Sequence, residues 1–322
     1  MSPISRRQFQ QTSFAAVAGL AGSLISNRAF ASSGSKAELS FTIDLTPGAI
    51  GVKANQTETI ELAHKHGFQS VAPNPWFLAD LGEDARTKLL ANMKQKNLKW
   101  GAAGLPVEFR RDEKTFRDGI AKFAKQCKGL QKSGATRVGT YIMPAHDDLT
   151  YMANFRQHAS RLRECTKIMA DHGWRFGLAY VGTRTLWTAK RHSFIHSMAE
   201  TKELLSEINM PNTGFVLDSW HWYTAGETVA DLKTLKNKDI VACDLNDAPK
   251  GIAVGDQIDN RRELPAATGV IDLKSFLTAL VEIGYDGPVR AEPFNQPLNK
   301  LDNDAACAAT AKAIKAAFAM VE

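Results

Sequence analysis

The chain has 322 residues, of which 44% are hydrophobic, so it is long enough to bury the core of one large domain. Lysine and arginine total 40 against 34 acidic residues, which gives a formal net charge of +6 at pH 7. Cleavage of the N-terminal export signal described next would lower the net charge to +3, which is too mild to argue for a nucleic-acid-binding protein. No segment beyond the N-terminal region is apolar enough over sufficient length to cross a bilayer.

The N-terminal region has the three parts of a bacterial export signal. The pair Arg6-Arg7 comes first, an apolar stretch covers 13–25, and a small-residue cleavage pattern lies at 29–31. This order predicts a twin-arginine signal peptide over residues 1–31 and export to the periplasm or another extracytoplasmic compartment. Cleavage would remove three arginines and no acid, so Lys and Arg would fall from 40 to 37 against 34 acids and the net charge to +3. An uncleaved anchor or a chance arginine pair is the alternative.

Apolar runs of strand type alternate with amphipathic helical patterns over the rest of the chain. The predicted strands are 39–45, 70–73, 99–105, 137–143, 175–181, 214–218, 240–246 and 288–292. The predicted helices are 57–66, 84–96, 115–133, 153–172, 193–208, 228–235, 273–283 and 304–318. Eight strands alternating with eight helices predict an α/β protein, a single (β/α)8 TIM barrel over 39–322 that follows a linker over 32–38. An open doubly wound sheet is disfavoured because no GxGxxG turn follows the first predicted strand.

Polar residues at the carboxyl ends of the predicted strands are the candidate site, because active sites of such barrels lie there. Asp218 ends the sixth strand in the segment FVLDSWHWY, and His221 follows it. Asp244 lies on the seventh strand, Glu292 ends the eighth, and His146 follows the fourth. These side chains are therefore expected to face one barrel mouth.

Three carboxylates at adjacent strand ends would repel one another. A divalent cation bound by Asp218, Asp244 and Glu292 would relieve this repulsion, and carboxylate oxygens are ligands for hard cations. The alternative is that each acid forms a salt bridge with an arginine. The candidate arginines are Arg261, Arg262 and Arg290.

Tryptophans cluster in or beside the loops that follow the predicted strands. They are Trp76, Trp187, Trp220 and Trp222. Aromatic faces beside polar groups suit the C–H faces of sugars, so these residues predict a carbohydrate ligand. The alternative is that they only close the top of the barrel.

Four segments together resemble one family of barrels. They are GFVLDSWHWY at 214–223, DLNDAP at 244–249, RRELPAATGVIDL at 261–273 and GYDGPVRAEPFN at 284–295. The sequence resembles the xylose-isomerase-like TIM barrels, the sugar phosphate isomerase/epimerase superfamily, over essentially the whole mature chain. The resemblance implies one divalent metal ion, Mn, Mg, Co or Zn, at the last four strands. It also implies two glutamates, at the ends of strands five and eight, that move protons next to a carbonyl.

The resemblance also implies roles for individual residues. Asp218 matches the metal-binding aspartate, and His221 matches the substrate-binding histidine. Glu292 matches the glutamate that is both metal ligand and base, while Arg262 falls near the substrate-binding arginine.

Two positions depart from the family pattern. Ala179 stands where the family has its strand-five glutamate, and Asp244 stands where many members have a histidine. Aspartate keeps an oxygen ligand and shifts the metal preference toward Mg or Mn, whereas alanine can neither bind a metal nor transfer a proton. The sequence therefore predicts a one-base reaction, with Glu292 or His221 as the catalytic base.

The predicted function is a metal-dependent isomerase or epimerase that abstracts a proton next to the carbonyl of a sugar or keto-sugar. His146, Arg262 and the four tryptophans are predicted to bind this small-molecule carbohydrate. A keto-sugar lyase or hydratase and an inactive barrel that binds a carbohydrate or a partner protein stay open as alternatives. A nuclease of the same superfamily is disfavoured by the low charge and by only 8 histidines. The mature chain is predicted to bind neither nucleic acid nor membrane, and a homo-oligomer is compatible with the sequence.

Overall fold

A computed structural model describes residues 39–322. The predicted signal peptide over 1–31 and the predicted linker over 32–38 lie outside the described residues. From residue 39 onward the chain forms the predicted TIM barrel, with parallel strands inside and helices around them. None of the helices in this part of the chain is long and apolar enough to cross a membrane.

The elements follow one another in the expected alternation. The strands are β1 Thr42–Leu45, β2 Ser70–Val71, β3 Lys99–Trp100, β4 Ala103–Gly104, β5 Arg137–Tyr141, β6 Ala145–His146, β7 Arg175–Ala179, β8 His192–Ser193, β9 Thr213–Asp218, β10 Ile240–Leu245 and β11 Pro288–Ala291. The helices are α1 Gln56–His66, α2 Pro75–Asp80, α3 Glu83–Gln95, α4 Glu113–Lys132, α5 Tyr151–Ala170, α6 Arg184–Trp187, α7 Met198–Ile208, α8 Ser219–Thr224, α9 Val229–Leu232, α10 Leu273–Ile283, α11 Gln296–Asn299 and α12 Asn303–Phe318. Short 3-10 turns lie at Pro47–Ile50, Asn237–Asp239 and Val254–Asp256.

The sheet has nine strands but eight barrel positions, because β3 and β4 are the two halves of the third predicted strand. The order is β3-β2-β1-β11-β10-β9-β7-β5-β4, so β3 pairs with β2 and β4 pairs with β5. Gly101 lies at the break between the halves. A Cβ on Gly101 would lie 2.1 Å from Asp44 Oδ1, so only glycine leaves room for this carboxylate inside the barrel.

Small residues line the barrel interior below the strand ends. Gly139 and Gly177 stand level on β5 and β7. A Cβ on either would lie within 3 Å of the Val216 side chain, at 2.7 and 2.9 Å, so Val216 fills the space that the glycines leave. Ala102, Ala179, Val216 and Ala242 form one buried apolar cluster. These four residues line the same cavity as the charged residues of the site described below.

All eight predicted strands are present within three residues of their predicted ends, and so are seven of the eight predicted helices. The exception is α7, which begins at Met198 and not at residue 193. His192 and Ser193 instead pair antiparallel with His146 and Ala145, which joins β8 to β6 in a small ribbon. Sequence analysis missed this ribbon and the short helices that follow several barrel strands. Segments of four to six residues are too short to show a helical period.

The buried ring of His158 predicts a loss of stability in mild acid. Its Nδ1 lies 3.0 Å from the Asn154 carbonyl, and the ring packs edge-on against Phe109 and also contacts Phe194. Burial lowers the pKa of His158 from 6.5 to about 3. As the pH falls below 6.5 the unfolded chain takes up this proton first, so stability present above pH 6.5 is lost progressively toward pH 3.

We expect the substitution His158→Phe to flatten this pH dependence. Between pH 7 and 5 the unfolding free energy of the variant should fall less than that of the wild type, by about 2 kcal/mol. Urea unfolding at several pH values measures the difference. His64→Gln, on the exposed side of α1, is the matched control and should follow the wild type. Parallel pH curves for the His158 variant and the wild type would contradict the prediction.

Candidate active site

A cavity of about 1050 Å³ opens at the carboxyl ends of the barrel strands. This volume is near the upper end for small-molecule sites, which are roughly 300–1,000 Å³. On the side of β9, β10 and β11 the cavity wall is charged, and it is lined by Asp218, His221, Asp244, Arg290 and Glu292. On the side of β4, β5 and β7 it includes small or apolar residues such as Gly104, Gly139, Ala179 and Val181, together with the ion pair of Glu108 and Arg110. The two sides therefore offer a ligand very different surroundings.

The charged wall originates in the register of four neighbouring strands. Arg290 on β11 stands level with Asp44 on β1 and with Asp244 on β10. Asp244 in turn stands level with Asp218 on β9. Because registered residues of parallel strands point to the same side of the sheet, one basic side chain lies among three acidic ones inside the barrel.

Asp218, Asp244 and Glu292, which we call the acidic triad, are brought together as predicted. Each offers an oxygen within 4.8 Å of the others. By distance alone this arrangement is compatible with a divalent metal ion. The hydrogen-bond partners of the triad are less compatible, because every one of its carboxylates contacts a guanidinium group. Nη1 of Arg262 lies 2.9 Å from Asp218 Oδ2, and Nη2 of Arg290 lies 3.0 Å from Asp244 Oδ2 and 3.4 Å from Glu292 Oε1.

Arg262 is buried, and its guanidinium group is hydrogen-bonded to other residues of the site. Its side chain is 1% exposed. Its Nε donates to the Asp259 carbonyl, Nη1 to Asp218 and to the Glu292 carbonyl, and Nη2 to Asp259 Oδ1. Nη2 also contacts His221 Nε2 at 3.3 Å, so each of the five N–H groups already faces a protein atom. These contacts support a role in holding the site together and do not support the predicted role in binding substrate.

His221 is positioned as a neutral ring. The backbone N–H of Gly182 donates to Nδ1 at 3.3 Å, and Nε2 faces Nη2 of Arg262. The neutral ring has one acceptor nitrogen and so can accept from only one of these two donors, and Asp218 Oδ2 also lies 3.5 Å from Nε2. Burial lowers the pKa of His221, although the nearby Asp218 carboxylate acts in the opposite direction. Since both nitrogens face protein groups, the geometry gives no support to His221 as the base.

Glu292 is the member of the acidic triad that a ligand can reach. Its side chain is 24% exposed, against 2% for Asp218 and 3% for Asp244. Burial and the neighbouring Asp244 carboxylate raise the pKa of Glu292 to about 7, while Arg290 and Arg262 act against them. A carboxyl group with such a pKa can both accept and release a proton near neutral pH.

One nitrogen of the Arg290 guanidinium group, Nη1, has N–H groups that form no hydrogen bond with the described residues. Its Nε and Nη2 both bind the Asp244 carboxylate, which fixes the plane of the guanidinium group. Among the described residues, no hydrogen-bond partner contacts its Nη1, and the side chain is 22% exposed in the cavity wall. The N–H groups of Nη1 are therefore available to an oxygen atom of a ligand.

Five of the six predicted carbohydrate-binding residues do not line this cavity. Trp76 is 55% exposed on α2, and Trp187 stacks on His196 at 4.7 Å. The two tryptophans of α8 are buried, and their indole N–H groups bind protein oxygen atoms. They are Trp220 and Trp222. His146 lies on β6, where Nδ1 accepts the backbone N–H groups of residues 148 and 149. Of these six residues only Arg262 is part of the lining, which also includes His221.

Sequence analysis did not assign Asp44 or Asp259 to the site, and it named Arg290 only as a possible salt-bridge partner of the acids. Arg290 could have been placed there, since it lies two residues before Glu292 and strand side chains alternate between faces. Asp44 could have been placed in the barrel by the same alternation of strand side chains, since it lies near the end of β1. Asp259 lies in the long loop after β10, and its position depends on the path of that loop, which no sequence period reveals.

The loop that carries Arg262 is anchored by the buried carboxylate of Asp247. This carboxylate accepts backbone N–H groups from Ala248 and from residues 268 to 271. Burial alone would raise the pKa of Asp247, but these N–H groups lower it below its usual value. The backbone of Asp247 also pairs with that of Glu263, directly after Arg262.

We expect Asp247→Ala to lower the unfolding free energy by about 3 kcal/mol, because it leaves several buried N–H groups without an acceptor. Urea denaturation followed by circular dichroism measures this loss. Asp272→Ala is the matched control, since Asp272 caps α10 through one backbone bond from Ser275 and its loss should cost only ~1 kcal/mol. Equal losses in the two variants would refute the anchoring role of Asp247.

Comparison with known proteins agrees with the fold. The model of the xylose isomerase-like TIM barrel family matches residues 60–317. The inosose isomerase of Bacillus velezensis is 26% identical over 259 residues, which cover 77% of this chain and 86% of that protein. A xylose isomerase domain protein from Alicyclobacillus acidocaldarius superposes with a TM-score of 0.77 at 26% identity, over 87% of this chain and 99% of that one. A crystal structure of the IOLI protein with a bound zinc atom superposes with a TM-score of 0.72 at 22% identity, over 88% and 99% of the two chains. The chain belongs to the xylose isomerase-like TIM barrel family.

Proposed function

We propose that the chain is an isomerase or epimerase of a sugar or a sugar-derived cyclic ketone, and that it moves a proton on the carbon next to a carbonyl. The observation that carries the proposal is the position of Glu292 beside Arg290 in the charged wall of the cavity. A group that transfers a proton thus lies next to a fixed positive charge with free donors. The similarity to inosose isomerases supports the same class of reaction and a polyhydroxylated ring as substrate.

The chemistry assigned to these residues follows from their contacts. Glu292 takes the proton from the hydroxyl-bearing carbon next to the carbonyl, which gives an enediolate. Glu292 then returns the proton to the former carbonyl carbon, while the proton of the neighbouring hydroxyl passes to the former carbonyl oxygen. The N–H groups of Arg290 Nη1 bind the carbonyl oxygen and stabilise the negative charge that develops on it. Arg262 and Asp259 hold Asp218 and His221 in place behind the site.

The sequence predicted a divalent metal as cofactor of this reaction. The zinc in the IOLI structure and the spacing of the acidic triad support that prediction. The two arginines that bind the triad oppose it. The reaction proposed here requires no group other than the side chains of this chain.

Exchange of substrate hydrogen with solvent tests the proposed function. The chain is incubated in D₂O with a panel of keto-inositols and of pentuloses and hexuloses, and NMR follows deuterium entering the carbon next to the carbonyl. We expect exchange and a new isomer with at least one member of the panel. A panel that shows neither exchange nor isomerisation would contradict the proposal and favour the inactive carbohydrate-binding barrel.

The same experiment distinguishes a lyase or hydratase from the proposed isomerase or epimerase. Loss of water from a keto-sugar would give an unsaturated product with new vinyl proton signals and a carbonyl conjugated to a double bond. Because Glu292 could also take the first proton in that reaction, the panel includes keto-sugars with a leaving group two carbons from the carbonyl.

Export through the twin-arginine pathway is proposed together with this activity. It is supported by the order of the arginine pair, apolar stretch and small residues over 1–31. A substrate met outside the cytoplasm would be an unphosphorylated sugar or keto-sugar. Fractionation of cells that express the full chain, with N-terminal sequencing of the mature protein, tests this location.

A further inference from the structure

We propose that the guanidinium group of Arg290 takes the place of the divalent cation in this barrel, so that the acidic triad is held together without a metal ion. The proposal rests on the contacts of the triad and does not depend on the activity proposed above. It concerns which positive charge neutralises Asp218, Asp244 and Glu292.

Arg290 occupies a central position among the acids. Its Cα stands level with those of Asp44 and Asp244 in the barrel register. Its Nε and Nη2 bind both oxygens of Asp244, and Nη2 reaches Glu292 Oε1 at 3.4 Å. One guanidinium group thus bridges two of the three carboxylates, which is what a shared metal ion would do.

The carboxylate oxygens of the triad already face donors of the protein. Asp218 Oδ1 accepts the backbone N–H of Trp220 at 2.8 Å and Nδ2 of Asn246 at 3.0 Å, and Oδ2 accepts Arg262. The remaining oxygen of Glu292, Oε2, lies 3.7 Å from Nη1 of Arg262. A metal ion would have to displace several of these donors to obtain its ligands.

The end of β7 does not supply a fourth ligand. Ala179 at this position belongs to the apolar cluster with Val216 and Ala242, and its side chain offers no atom that can bind a metal. Water can complete the coordination of a metal ion that has three protein ligands, but the three acids here are already paired with arginines. The residues present therefore do not fit a metal centre of the kind that the family resemblance implies.

The local charges would also repel a cation at this point. The guanidinium groups of Arg262 and Arg290 both contact Glu292, one at each of its carboxylate oxygens. A divalent ion among the triad oxygens would lie within a few ångströms of two fixed positive charges in a buried environment. Such charges interact strongly because little water screens them there.

Metal binding by the full chain and by three variants tests the proposal. Each protein is purified without chelator, exposed to Zn²⁺ or Mn²⁺, desalted and subjected to elemental analysis, and calorimetry measures the affinity for Zn²⁺. The variants are Ala179→Glu, Ala179→Glu with Arg290→Ala, and Ala179→Glu with Arg290→Lys. The lysine variant is the matched control, because it keeps the positive charge at position 290.

We expect the wild type to retain no stoichiometric metal and its melting temperature to be unaffected by EDTA. The double variant that combines Ala179→Glu with Arg290→Ala should bind about one equivalent of Zn²⁺, roughly 100-fold more tightly than the variant with Ala179→Glu alone. The lysine control should bind as weakly as Ala179→Glu alone. Circular dichroism establishes that each variant is folded.

Two outcomes would overturn the proposal. One is about one equivalent of metal in the desalted wild type that is lost in Asp218→Ala, because the triad would then hold a metal ion despite Arg290. The other is a folded Ala179→Glu, Arg290→Ala variant that binds Zn²⁺ no better than Ala179→Glu alone, because Arg290 would then not be what excludes the ion. The wild-type measurement decides even where a variant does not fold. Neither outcome bears on whether Glu292 transfers a proton.

Discussion

Replacing Glu292 by glutamine should lower turnover by roughly 10²–10⁴-fold, the usual contribution of a positioned acid–base group. The amide keeps the size and the place of the side chain but can neither take nor return a proton. Its carbonyl oxygen can still face Arg290 Nη2, so the cavity wall should persist. Steady-state kinetics on the substrate found in the D₂O panel, with circular dichroism as the test of folding, measures the effect.

Glu263→Gln is the matched control for this prediction. Glu263 lies in the loop next to Arg262, contacts Asn295 Nδ2 at 3.2 Å, and is not among the residues that line the cavity. The same chemical change should therefore leave turnover within about threefold of the wild type. Wild-type turnover in Glu292→Gln would show that another group moves the proton. Comparable losses in both variants would show that the effect is structural.

Removing the side chain of Arg262 should lower the unfolding free energy by about 4 kcal/mol. Arg262→Ala leaves Asp218 and Asp259 without the cation that compensates them. Both of these carboxylates are bound to the guanidinium group at 2.8 to 2.9 Å. A buried carboxylate without its partner must either stay charged in a poorly solvated place or take up a proton, and both cost stability. Chemical denaturation near neutral pH measures the loss.

An exposed arginine gives the comparison for Arg262. Arg117 on α4 pairs with Glu113 and Glu164, but its side chain is 53% exposed. Arg117→Ala should cost less than about 1 kcal/mol, because water already solvates the three charges. If Arg262→Ala cost no more than Arg117→Ala, the buried ion pairs would not be what stabilises the site.

The fold could be predicted from the sequence because each barrel strand is a short apolar run bounded by polar residues. The strand ends at Asp218 and Glu292 were located by the same signal, since an apolar run that ends on an acid marks where a strand reaches solvent or a cavity. The path of the chain after a strand carries no such signal. Trp220 and Trp222 therefore could not be oriented, and the turn of α8 places both in the core.

The partners of the acids were harder to predict than the acids themselves. Sequence analysis left two interpretations of the triad open, a metal ion or salt bridges to arginines, because both neutralise the same charges. The structure shows contacts of the second kind at Arg262 and Arg290. Arg262 reaches Asp218 across 44 residues of sequence, through a loop that is itself anchored elsewhere. Long-range contacts of this type have no local pattern.

The difference between the two sides of the cavity has a stereochemical consequence. The carboxylates at the barrel strand ends lie on β9, β10 and beyond β11, whereas β7 ends on Ala179 and β5 contributes Gly139 to the lining. Glu108 on the second side is bound through both of its oxygens to Arg110 Nη1, so a flat enediolate between these sides would meet the proton-transferring Glu292 on one face only. Protons would leave and return on that face, which suits a transfer between neighbouring atoms. Inversion at a single carbon would require the intermediate to turn over within the cavity or water to reach the other face.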